Sequence, residues 1–210
     1  MYKKIIFLMA ASIILVPSIH AFSLRLNVPV TGSYEVDGCS ECSPKSGGYS
    51  IRGIFGMFGL GYAVGTFDFG YPSTSNTTKK VTANAVDLSA SFTFLTVGVG
   101  SVISGTFEGK YGYTETEGIV STVVDTKYAL DGSMTGTTSF INFNFGIGPI
   151  DLLVGYRMWN TKFKTKQVGT AVSTYTLAGT TNSSTASIDQ SQSENNTNFN
   201  QITAGIGYGF

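Results

Sequence analysis

From residue 22 onward, apolar and polar side chains alternate at period two in segments of roughly ten residues. That is the pattern of strands with one apolar and one polar face. At residues 86 to 94, Val86, Leu88, Ala90, Phe92 and Phe94 share one parity, and Asp87, Ser89, Ser91 and Thr93 share the other. Residues 96 to 108 repeat the plan: Val97, Val99, Ile103 and Phe107 oppose Thr96, Gly98, Gly100, Ser104, Thr106 and Glu108. Ile141, Phe143, Phe145 and Ile147 lead to a turn at Gly148, Pro149 and Ile150, after which Val154, Tyr156 and Met158 alternate with Gly155, Arg157 and Trp159. A glycine-rich pair covers about 49–56 and 59–71. The first strand is expected at Ser23 to about Val36, and the last at about Thr197 to Phe210.

The connections alternate in length. Short turns fall near Met57, at Leu95 and at Gly148 to Ile150, whereas polar stretches at about 37–48, 72–83, 111–136 and 164–196 read as long loops. Short turns on one rim and long loops on the other predict an all-β, transmembrane, antiparallel up-and-down β-barrel over residues 22–210. Four hairpins make eight strands, with ten as the open alternative.

Which parity faces outward separates a lipid-embedded barrel from a soluble one. The apolar parity is bulky and aromatic (Phe92, Phe94, Phe143, Phe145, Tyr156, Tyr208, Phe210), while its counterpart is mostly Gly, Ser, Thr and Asn, sizes that suit a cramped polar lumen. The chain's three arginines, Arg25, Arg52 and Arg157, all lie on the polar parity, as do Asp87 and Glu108. Facing hydrocarbon, each arginine would cost roughly 2–4 kcal/mol at mid-depth. Arg25, Arg52, Asp87, Glu108 and Arg157 are therefore expected to form an interior charge network; the competing reading has some of them solvated near a rim.

Composition narrows the picture further. Charged residues make up 12% of the 210, well below a soluble domain's usual share, and glycine reaches 26. Residues 1–21 read as a secretory leader, with Lys3 and Lys4 as its charged region, Ile5 to Val16 as its apolar region and cleavage after Ala21. Removing those two lysines leaves two more acidic than basic residues, and no basic stripe suits nucleic acid. The one histidine, His20, falls in the leader, so no catalytic, metal or cofactor-binding residues are expected in the remainder. Cys39 and Cys42 have the spacing of half a metal site, but no second pair exists. A disulfide at the tip of the first long loop is expected, with free thiols as the alternative.

The C-terminal strand carries a resemblance. Ile202, Ala204, Ile206, Tyr208 and Phe210 alternate to an aromatic terminus, and in this the chain resembles the small bacterial outer-membrane barrels of the OmpA and OmpX type. The resemblance implies a bacterial outer-membrane location. It also implies recognition of those five residues by the barrel assembly machinery, and contact with outer-membrane lipid and lipopolysaccharide. The expected role is non-enzymatic, structural or surface-interacting (adhesion-like), with an extracellular ligand met through the loops. The alternative is a narrow channel for small or hydrophobic solutes.

Overall fold

Alternation this regular leaves one face of every strand apolar, and a sheet can protect its edges completely only by closing on itself. The computed structural model describes residues 22–33, 41–72, 76–177 and 180–210, with the side chain of Ser193 excepted. Residues 1–21, expected as a leader, and Cys39 lie outside the described residues. Eight strands follow one another: β1 (Phe22–Ser33), β2 (Lys45–Phe55), β3 (Phe58–Asp68), β4 (Thr77–Ser91), β5 (Leu95–Glu117), β6 (Val120–Ile147), β7 (Ile150–Leu177) and β8 (Thr180–Gly209). Each pairs antiparallel with its sequence neighbours, and β1 pairs with β8 to close the barrel. The expected eight-stranded up-and-down barrel is the fold.

Closure places both ends of the strand array on one rim. Ser23 lies opposite Gly209, and the Phe210 amide donates to the Phe22 carbonyl at 2.8 Å. The tight turns at Gly56–Met57 and Gly148–Pro149 lie on this same lower rim, Gly56 and Gly148 both in the left-handed region that glycine adopts without strain. The third lower turn runs through Phe92–Phe94, where the Phe92 amide donates to the Leu95 carbonyl. It is therefore three residues long, not the single residue Leu95, and Phe92 belongs to the turn.

Above the lower rim the outside of the barrel is a belt of exposed apolar side chains. On β7 it comprises Ile150, Leu152, Val154, Tyr156 and Met158; Leu24, Leu26, Val28 and Val30 continue it on β1, and Ile202, Ile206 and Tyr208 on β8. From Ile150 to Met158, a rise of about 3.3 Å per residue and a tilt of about 40° give a belt on the order of 20 Å tall. Higher up, the outward positions turn polar, with Asn160, Lys162 and Lys164 on β7 and Asn198 and Asn196 on β8.

The strands do not stop where the belt does. Residues 111–136 and 164–196, expected as loops, are almost entirely strand, and β4 begins at Thr77 inside the expected 72–83 loop. The polarity was real, but these segments are rich in Thr, Val and Tyr, side chains that suit a pleated surface whether or not a face is buried. The upper parts are four strands wide. β4 covers β5 only as far as the Thr77–Tyr111 pair, and β1 covers β8 only as far as the Ser33–Asn200 pair. Beyond those points β5 to β8 continue as a four-stranded antiparallel sheet, and no further strand among the described residues pairs with 112–117 or 180–194.

A bulge corrects one expectation about facing. Asn84 pairs with Ser104 and Ala85 with Val102, so Ile103 is an extra residue in β5. Ile103 and Ser104 both point outward, and the parity is reversed from there on: Phe107 turns into the barrel and Glu108 turns out.

Candidate functional site: the barrel lumen and the upper sheet

The lumen is filled in layers. Near the lower rim, Arg25 of β1 donates through Nη1 to Thr96 Oγ1 (2.6 Å), Ser91 Oγ (3.2 Å) and Asn144 Oδ1 (3.2 Å), and through Nη2 to Asp151 Oδ2 (3.0 Å). The reach from β1 to β7 crosses β8 at Gly207. A Cβ there would meet Arg25 Cγ at 3.0 Å and Asp151 Cβ at 3.2 Å.

The next layer repeats that construction. Arg52 of β2 crosses β3 at Gly61 to reach Asp87 of β4, donating to Oδ1 from Nε (3.1 Å) and Nη2 (2.7 Å). Arg157 of β7 donates through Nη2 to the other oxygen, Oδ2 (3.0 Å), and through Nη1 to Thr138 Oγ1 (3.3 Å). The ring of Phe140 lies against both guanidiniums, 3.8 Å from Arg52 Cζ and 4.6 Å from Arg157 Cζ. A cation on an aromatic face is favourable, and more so when water is excluded. In both layers a glycine on the intervening strand makes room for the crossing arginine.

Higher still the lumen becomes apolar. Trp159 Nε1 donates to Gln201 Oε1 at 2.8 Å, and Gln201 Nε2 in turn donates to Ser46 Oγ and the Gly47 carbonyl. Above this level Phe67 and Phe199 stack with ring centroids 3.9 Å apart, Phe107 packs on Phe163 at 5.4 Å, and Met134 is buried beside them. A wholly polar lumen was expected; only the lower half is polar. An axis crowded by aromatic rings excludes water there as effectively as any soluble core. At the upper mouth Lys79 Nζ lies 5.7 Å from the Tyr71 ring and 5.5 Å from that of Tyr128. Burial, and then the neighbouring Tyr111 and Tyr71, raise the Tyr128 hydroxyl above the usual phenol value.

The structure thus brings Arg52, Asp87 and Arg157 together and places Arg25 in a separate layer. Glu108 joins neither, being exposed on the outside because of the Ile103 bulge. The carboxylate that sequence reasoning missed is Asp151. Its signal is present, since it shares the parity of Gly155, Arg157 and Trp159, although it stands directly after the Gly148–Ile150 turn.

Ile202, Ile206, Tyr208 and Phe210 point outward and are exposed, with Ala204 partly covered between them. The Phe210 ring stacks on Phe22 at 5.6 Å and meets Tyr208 edge-on at 4.9 Å, so the terminal aromatic seals the β1–β8 seam. Cys42 is disulfide-bonded. In the upper sheet Lys166 Nζ lies 2.9 Å from Asp189 Oδ1, which raises the lysine above its usual range. On the outer shoulder of β3 to β6 a hollow of about 500 Å³ is lined by Asp68, Lys80, Phe107, Glu108, Lys127 and Tyr128, among others. No group of three or more His, Cys, Asp or Glu side chains able to hold a metal occurs among the described residues.

Fold and filling define a closed, plugged, eight-stranded antiparallel β-barrel. No family model matches the chain, and no curated protein matches it. Among solved structures, it is similar to the outer-membrane protein AlkL, determined in lipid bilayers, at 14% identity over 91% of this chain and 90% of that one, with a TM-score of 0.24. It is also similar to the outer-membrane protease OmpT of Escherichia coli at 12% identity over 91% and 94%, TM-score 0.21. The third is OccK2 of Pseudomonas aeruginosa, at 11% identity over 91% and 98%, TM-score 0.12. At such TM-scores the likeness carries no argument. The barrel is established by this chain's own strand ladder.

Proposed function

We propose that the chain is a bacterial outer-membrane barrel whose task is surface interaction, performed without enzymatic chemistry by the four-stranded sheet that rises from β5 to β8. One observation carries this reading. The outward apolar belt is about as tall as the hydrocarbon zone that outer-membrane barrels span, and the strands of one side then continue well beyond it as a polar sheet. Orientation follows from the leader and the short turns: the lower rim faces the periplasm and the upper sheet stands outside the cell. Lipid and lipopolysaccharide surround the belt. Phe210 and the alternating residues before it serve as the assembly signal. A rigid scaffold that lifts a polar four-stranded sheet away from the membrane suits docking of another surface.

The filled lumen favours this role over a channel. Between the Arg25 layer and the Phe67–Phe199 stack, the axis is occupied by packed side chains.

Liposomes bearing the full chain can be compared with liposomes bearing a chain whose residues 112–125 and 170–187 are replaced by short turns. Both should insert and shift mobility on heating in gels, and only the full chain should adhere to immobilised host-cell or bacterial surface extracts. Equal adherence by the two would overturn the surface role. Steady single-channel openings by the unmodified chain in planar bilayers would favour the channel instead.

A further inference from the structure

Above the apolar belt, the outer face of β4 to β6 carries two lysines set directly opposite each other. Lys110 of β5 and Lys127 of β6 are cross-strand partners, both exposed. Like charges in that arrangement repel, and among the described residues neither lysine has a salt bridge. Their neighbours are matched. Lys45 and Lys80 stand opposite Asp68, Lys80 also stands opposite Glu108, Lys164 faces Asp131 and Glu194, and Lys166 binds Asp189.

The unmatched pair forms a ridge shared by two hollows. The lower one, about 500 Å³, is lined by Lys80, Glu108, Lys110, Lys127 and Ala129, among others. The upper one, about 330 Å³, adds Asn76, Thr114 and Asp125 to the same two lysines. A Cβ on Gly112 would meet Asn76 Nδ2 at 2.7 Å, so the missing side chain leaves the Asn76 amide its place beside the ridge. Each hollow therefore combines the two ammonium groups with a carboxylate, Glu108 below and Asp125 above. Ammonium groups suit a phosphate, whereas carboxylates and amides suit the hydroxyls of a sugar. A bare polyanion would be repelled by the carboxylates, and a neutral sugar would leave the lysine pair uncompensated.

Height selects the source of such a ligand. On β4 the outward run climbs from Val86, in the belt, through Asn84 and Thr82 to Lys80. At a rise of about 3.3 Å per residue and a tilt of about 40°, Lys80 stands roughly 15 Å above Val86. That is beyond the acyl chains, where a glycolipid carries its sugars and phosphates. We infer that the shoulder of β4 to β6 is a binding site for the phosphorylated saccharide of an outer-leaflet glycolipid, lipopolysaccharide, with a phosphate between Lys110 and Lys127 and sugar hydroxyls on Glu108, Asp125 and Asn76. The inference rests on the outer-membrane reading and adds to it one lipid held by named groups, apart from the lipid that surrounds the belt.

The full chain folded in detergent is titrated with fluorescently labelled short-core lipopolysaccharide, followed by anisotropy, and with the same lipid after removal of its phosphates. The parent should bind the phosphorylated form about tenfold more tightly or better. Lys110→Gln combined with Lys127→Gln should lose that preference, while Lys162→Gln combined with Lys164→Gln should keep it; a heat-modifiable gel shift in both variants shows that they fold. Equal affinity of the parent and the Lys110–Lys127 variant for the phosphorylated lipid would overturn the site. Displacement of the lipid by millimolar inorganic phosphate would overturn the glycolipid assignment in favour of a free-phosphate site. Failure of the parent to enter phosphatidylcholine vesicles would sink the outer-membrane reading and the glycolipid with it, whereas a chain that enters them and shows no phosphate preference sinks the site alone.

Discussion

Asp87→Asn is the most informative single change. The carboxylate is fully buried and binds two arginines, Arg52 at 2.7 Å and Arg157 at 3.0 Å, whose side chains are 0% and 5% exposed. The amide keeps the shape and one acceptor but removes the charge, leaving two guanidiniums buried without a counter-ion. Breaking one buried pair from one side costs about 3–5 kcal/mol. The two pairs share a carboxylate and are not additive, so the expected loss is about 5 kcal/mol rather than twice that. Trp159 is the chain's one tryptophan, and its ring lies 5.5 Å from Arg157 Cζ, so its fluorescence reports on this layer during urea unfolding in lipid vesicles. A companion with Arg52→Met, Asp87→Leu and Arg157→Met, which removes every charge together, should fall within about 2 kcal/mol of the parent or exceed it. An Asp87→Asn protein less than about 1 kcal/mol below the parent would refute the account of the lumen as a charge-paired plug.

Other outcomes follow from the same geometry. Gly61→Val should destabilise the barrel by several kcal/mol in the same unfolding assay, because a Cβ there strikes the Asp87 carboxylate and meets Arg52 Nε at 3.1 Å. Asp151→Asn should cost about 2–4 kcal/mol, while Glu108→Gln should leave the urea midpoint unchanged; the reverse order would restore the interior placement of Glu108. Phe67→Ala combined with Phe199→Ala removes the 3.9 Å stack and should lower stability in urea by several kcal/mol while leaving the barrel silent in planar bilayers, because the arginine layers below still fill the axis. Phe210→Ala should slow assembly into vesicles, read as the time course of the heat-modifiable band, because it loses the contacts with Phe22 and Tyr208.

Strand order and closure were legible in the sequence because a barrel wall imposes period two, and a single-residue slip would expose every arginine and bury every aliphatic residue. Leu24, Arg25 and Leu26 announce their facing with no knowledge of their neighbours. So does the outward run from Ile202 to Phe210, since lining up alternate residues requires only the pleat. What lay beyond reach depended on other strands. The Ile103 bulge, defined only by its partner β4, turned Phe107 inward and Glu108 outward. The strand character of 111–136 and 164–196 rests on pairing among β5 to β8, because polar Thr-rich segments are strands only when a neighbour satisfies their backbone. The pairing of Arg25 with Asp151, 126 residues apart, and the sharing of Asp87 were settled by the closing of the cylinder. Periodicity tells each side chain which way to face, but which group it meets across the axis is set by the register of all eight strands together.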